Sequence, residues 1–237
     1  MEINKNTDAV RKVEHPPIIE ASVLIAVEKD FPETYAQTLQ EKLSPHFVIE
    51  ENNPLKKISD GYIIAVFNNA QTRQEVILAK NYIIYREGKR YKDLPTLVTN
   101  LKALWDTIGF GEYLNEIEML RFRVINKFTI LISDLGRNFT FYPVIKEREP
   151  QECVFGYSTI ETRLRSEFRA AYADVRAQIL PIEGENLEII FDIDTFVEKE
   201  KFFDFNSVEQ YLKRLSELKN DIFFANIPDA QERFKNV

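Results

Sequence analysis

The chain has 237 residues, 44% of them hydrophobic and 29% charged, with a net charge of −7 and eighteen Phe and ten Tyr. That is enough length and bulky apolar material for a sizeable core, which excludes global disorder. The acidic balance argues against a protein whose main task is to coat duplex DNA or an anionic membrane. A lone cysteine, Cys153, excludes an intrachain disulfide framework.

Residues 1–14 are polar and without periodicity, and read as a flexible N-terminal arm. They hold no apolar stretch of the kind a signal peptide needs, and no later apolar run is long enough to span a bilayer. A cytoplasmic protein without membrane association is expected. His15-Pro16-Pro17 forces an extended entry into a strand over residues 18–28, rich in Ile and Val. Asp30 reads as a helix cap, with Pro32 in the first turn and Tyr35, Leu39 and Leu43 on one helix face. Strands are expected over 61–67, 74–80 and 82–86, the last running into a turn. Asp93-Leu94-Pro95 opens a second helix with Leu97, Leu101, Leu104 and Ile108 on its apolar face. Gly109 reads as its C-terminal stop rather than as part of a dinucleotide fingerprint.

The second half is expected to repeat these steps in outline: strand material over 118–132, a loop over 143–152, and strands over 153–163, 174–180 and 187–196. Residues 183–186 form the turn between the last two strands. Ser207 and Gln210 match a capping box, followed by a helical stripe of Tyr211, Leu215, Leu218 and Ile222. The fold class is α+β, with a largely antiparallel sheet or sheets. The element order allows two β-α-β-β-β-α halves, over residues 15–115 and 116–237.

Four short motifs carry a resemblance. They are Pro16-Pro17-Ile18-Ile19-Glu20, Arg123-Val124-Ile125-Asn126-Lys127-Phe128, Asp192-Ile193-Asp194, and the helix from Leu215 to Phe223. The chain resembles a sporadically distributed bacterial family of uncharacterised proteins of about this length. The resemblance supports the order of elements and implies no activity, cofactor or catalytic residue. The patchy distribution implies an accessory or defence-type module.

Candidate site residues are few. Asp192 and Asp194 share one strand face, roughly 7 Å apart, and weakly suggest a divalent cation. The competing reading places Phe191 and Ile193 in the core and pairs the aspartates with arginines. Glu116-Ile117-Glu118 with Arg121 and Arg123 falls short of a triphosphate-binding strand, because Leu120 stands where a lysine is needed. Arg163 and Arg165 share a strand face. Arg86, Lys89, Arg90 and Tyr91 form a basic, tyrosine-flanked segment that reads as a hairpin tip able to grip phosphates. His15 and His46 have no metal-ligand spacing, and no nucleophile triad, P-loop or cofactor motif is present. The expectation is a non-catalytic binding or interaction protein, with no cofactor, acting as a homo-oligomer or with a protein partner. The alternatives are a metal-dependent enzyme acting on a phosphate-bearing substrate and, less favoured, a nucleic-acid binder.

Overall fold

A computed structural model describes residues 17–32, 34–44, 46–50, 63–88, 91–112, 117–134, 171–182, 184–227, 229–230 and 234, together with the backbone of 158–165. The expected arm, the 143–152 loop, Cys153, His15, Glu116, Lys89 and Arg90 lie outside the described residues.

The strands are β1 (Ile18–Val27), β2 (Val48–Ile49), β3 (Ile63–Asn69), β4 (Gln74–Ala79), β5 (Tyr82–Glu87), β6 (Ile117–Leu131), β7 (Ser158–Arg165), β8 (Ala171–Pro181) and β9 (Asn186–Glu198). Among the described residues the helices are α1 (Tyr35–Leu43), α2 (Leu94–Ile108) and α3 (Phe205–Asn226). All nine strands join one antiparallel sheet in the order β2-β3-β4-β5-β1-β6-β9-β8-β7. The fold is α+β.

The order is symmetric about the β1–β6 seam. Outward on one side run β1, β5, β4 and β3; outward on the other run β6, β9, β8 and β7. Each side then sends its chain into a helix, α2 or α3. The two helices also match residue by residue. Each is capped by an aspartate whose side chain accepts from the backbone N–H three residues on, Asp93 from Thr96 and Asp204 from Ser207, both at 2.8 Å. Counted from the cap, five buried positions coincide: Leu97, Leu101, Leu104, Trp105 and Ile108 in α2, and Val208, Leu212, Leu215, Ser216 and Lys219 in α3; Val98 and Phe205 are buried without such a counterpart. Among the described residues, α1 and the two-residue β2, too short to show in a periodicity, occur in the first half alone.

Alternation places one face of the sheet under the helices. Val23, Tyr85, Phe122, Thr195 and Ala173 lie on that face in one cross-strand row. One core cluster joins α1, α2 and the first half of α3 to β1 and its neighbours; a second joins the rest of α3, Ile227 and Phe234 to β8 and β9. Burial of these apolar side chains is the main stabilising term.

Three local expectations are corrected. Asp30 does not cap α1: the helix starts at Tyr35 after Thr34, which makes no side-chain cap bond, and Asp30 instead pairs with Lys80 at 2.7 Å. Pro32 sits before the helix, its carbonyl accepting from the Tyr35 N–H at 2.8 Å. Tyr85, Arg86 and Glu87 are not part of a hairpin tip but the end of β5, after which the next element is α2; Tyr85 is buried and Tyr91 packs against the core. The capping box is displaced: α3 begins at Phe205, its cap is Asp204, and Ser207 lies inside the first turn. Gly109 does end α2, with φ of 72° and its N–H bonded to the Trp105 carbonyl.

The cap assignment is testable. Asp204→Ala should lower the melting temperature, whereas Gln210→Ala should leave it unchanged. Hydrogen bonds from the Ser207 backbone, and then from its hydroxyl, hold the Asp204 carboxyl below its usual value. Its contribution is therefore full above about pH 4 and lost as the pH falls through the lowered folded value. Melting curves of the wild type and Asp204→Ala should converge in acid.

Candidate functional site: the open face of the sheet

The face turned away from the helices carries most of the charged residues singled out in the sequence. Register brings seven of its residues into one row across seven strands: Glu75, Arg86, Ser22, Arg123, Asp194, Asp174 and Arg163. Arg86 and Arg163, far apart in sequence, thus lie on opposite halves of a common row. Arg165 lies in the next row of the same face, in register with Tyr172 and, beyond it, Phe196, Arg121 and Leu24. Tyr91 lies apart from this face, against the helix-side core.

The ion pairs along the row are close. Arg123 grips Asp192 through two parallel bonds, Nε to Oδ1 at 2.8 Å and Nη2 to Oδ2 at 2.7 Å. Arg121 reaches Asp194 with Nη2 at 2.6 Å and Nε at 3.2 Å, and Asp174 with Nη2 at 3.4 Å. Such forks add geometric specificity to charge. Arg86 lies between Glu75, at 2.9 Å, and Glu20, at 3.5 Å; these are charge contacts, since the Arg86 Nε and Glu75 Oε2 atoms lack hydrogen-bond alignment. Lys127 pairs with Glu188 at 2.8 Å.

Burial leaves its mark on these groups. Desolvation raises the Asp194 pKa and outweighs the opposing pull of Arg121. Glu75 is raised for the same first reason, with Arg86 opposing. Arg123 is raised, chiefly by its hydrogen bonds to Asp192. An aromatic patch adjoins the row: Tyr172 stacks on Phe196 at 5.5 Å, and the Arg121 guanidinium sits over the Phe196 ring at 4.8 Å. Leu24, Ile84, Ile125, Ile190 and Tyr82 stand half-buried among the charges.

Asp192 and Asp194 are thus engaged by Arg123 and Arg121, while Phe191 and Ile193 enter the core. Among the described residues no group of three or more His, Cys, Asp or Glu side chains is placed to hold a metal ion. Arg176 is exposed and pairs in register with Asp192 and Glu161. His46 is exposed near the end of α1.

Sequence reading missed Glu20, Glu75 and Asp174, which complete the pairs. The available signal was the strict alternation of apolar and basic residues along β6, with Arg121, Arg123 and Lys127 on one face and Phe122, Val124 and Phe128 on the other. No helix among the described residues is long and apolar enough to cross a membrane. No family model matches the chain, and no curated protein matches it at a significant level.

Proposed function

We propose that this is a non-catalytic interaction protein that uses the open face of its sheet to bind a second copy of itself. The observation that carries the reading is the row Glu75, Arg86, Ser22, Arg123, Asp194, Asp174, Arg163. Turned about a two-fold axis through Arg123, the row meets itself with Glu75 opposite the Arg163 position and Arg86 opposite Asp174. A two-fold interface requires such self-complementarity. The Arg123 on the axis carries its own counter-charge, Asp192. Elsewhere the net charge of −7 repels a second copy, whereas this face balances its charges internally. Half-buried Leu24, Ile84 and Ile125 supply apolar area between the charges. An accessory or defence-type setting accords with the family resemblance.

Light scattering on the eluting protein tests this. At about 50 µM, within reach of a micromolar interface, the wild type should run as a dimer and Arg86→Glu as a monomer. Mixed charge reversal, Arg86→Glu with Asp174→Arg in one chain, should restore the dimer. Arg86 and Asp174 are separated by three strands within one sheet, so rescue requires contact between copies. A wild type that stays monomeric overturns the proposal, as does a double variant that remains monomeric while its far-ultraviolet spectrum is native.

A further inference from the structure

A separate pocket of about 200 Å³ opens on the helix side, where the end of α1, the outer ends of β3 and β4, and α2 come together. It is too small for drug-sized ligands, whose sites start near 300 Å³, and suits a smaller metabolite. Seven polar residues line it; Thr107 donates its hydroxyl proton to the Ala103 carbonyl, and the hydrogen-bonding capacity of the other six is only partly used. Asn69 Oδ1 accepts from the Gln71 and Thr72 backbone, which leaves its amide N–H groups for other partners. Gln74 Oε1 accepts from the Thr72 hydroxyl, leaving its own N–H groups likewise. Lys42 Nζ donates to the Ile108 carbonyl at 3.0 Å and retains further N–H donors. His46 offers a ring N–H. These four form a donor set suited to a carboxylate.

Tyr85 and Asn100 differ in character from these four. The Tyr85 hydroxyl and the Asn100 amide both donate to Glu87 Oε1, at 2.7 and 2.8 Å. The Tyr85 proton is thereby committed, while Asn100 keeps the second of its two N–H groups; Tyr85 presents its oxygen and Asn100 its Oδ1 as acceptors. Glu87 is 4% exposed, and no cation is paired with it among the described residues. Burial and then the Glu87 carboxylate raise the Tyr85 pKa, so the phenol stays protonated and keeps this polarity. A buried carboxylate held only by neutral donors favours a positive group nearby.

We propose that this pocket binds a small amino carboxylate of free amino-acid size, its carboxylate on Lys42, His46, Asn69 and Gln74 and its ammonium on Tyr85 and Asn100. Both charges are needed because the two sets of side chains differ in polarity.

Titration calorimetry of the full chain with each of the twenty proteinogenic amino acids, and with acetate and methylamine as single-charge probes, decides the matter. At least one amino acid should give a saturable one-site isotherm, with acetate and methylamine silent at the same concentration. Gln74→Leu and Asn100→Leu should each raise its Kd tenfold or more. Gln74 makes one described side-chain bond, to a neighbouring turn residue, so its variant keeps the fold even if Asn100→Leu does not. The proposal is overturned if no amino acid binds, if acetate binds as tightly as the amino acid, or if Gln74→Leu leaves the Kd unchanged.

Discussion

Leu215→Ala is expected to lower the stability of the protein by about 2–5 kcal/mol, the range for a fully buried leucine. Leu215 is 0% exposed and lies where α3 crosses the sheet. Its carbonyl also takes part in the packing: the Thr195 hydroxyl lies 3.1 Å from it and 3.0 Å from the Phe122 carbonyl, on β6, and its one proton serves either. Truncation therefore leaves a cavity beside a buried polar contact, where the surroundings have little freedom to collapse. Leu218 is only half-buried, so Leu218→Ala should cost less than Leu215→Ala. Glu217 is exposed, and Glu217→Ala should stay within about 0.5 kcal/mol. Urea denaturation of the three variants gives the order directly. Equal losses for Leu215 and Leu218 would show that α3 is rotated from the orientation described.

Lys219→Met is expected to act in the opposite direction and stabilise the protein at pH 7. Lys219 occupies the position that Ile108 holds in α2, and it is 9% exposed. Burial pushes its pKa down to about 8, and no hydrogen bond or ion pair to it is found among the described residues. The unfolded chain holds this proton up to about pH 10.4. Between those values the unfolded state binds more protons than the folded one, so stability rises with pH across that window. Below about pH 8 the whole cost of the buried charge is present, roughly 3 kcal/mol. Methionine has similar length without charge, and should recover most of that cost at pH 7. The advantage should shrink between pH 8 and 10.5. Denaturation midpoints of the two proteins at pH 7 and pH 10.5 test this; a constant difference would mean that the amine is solvated in the native state.

The elements that sequence reading placed well are those whose signal is local and repeated. β6 alternates in burial from Leu120 to Leu131, and α2 has an aspartate cap, a proline in its first turn and a glycine stop. The errors fall where two local signals compete. Asp204 and Ser207 both suit a cap, and the Ser207–Gln210 spacing favoured the wrong one; the extended backbone at Asp204 decides it. Tyr85 and Arg86 looked like neighbours in one basic segment, yet strand alternation sends one into the core and the other to the open face. The aspartate pair was legible as a shared face, but its arginines come from β6, about 70 residues earlier, and only register reveals them. Lys219 was hidden by its charge: it follows Leu215 by one helical turn, and that spacing, taken alone, places it in the core.

The central seam has a consequence for how the chain is made. β1 leaves the ribosome before β6, one of its two partners, which lies roughly a hundred residues downstream. Until β6 emerges, β1 offers a bare edge at what will become the middle of the sheet, with Ala21, Val23 and Ile25 on its core face. An uncovered apolar strand edge is a template for pairing with other chains. The nascent first half is therefore the stage at which a trapped or wrongly paired product forms, and slowing synthesis between β5 and β6 would lengthen that exposure rather than help the fold.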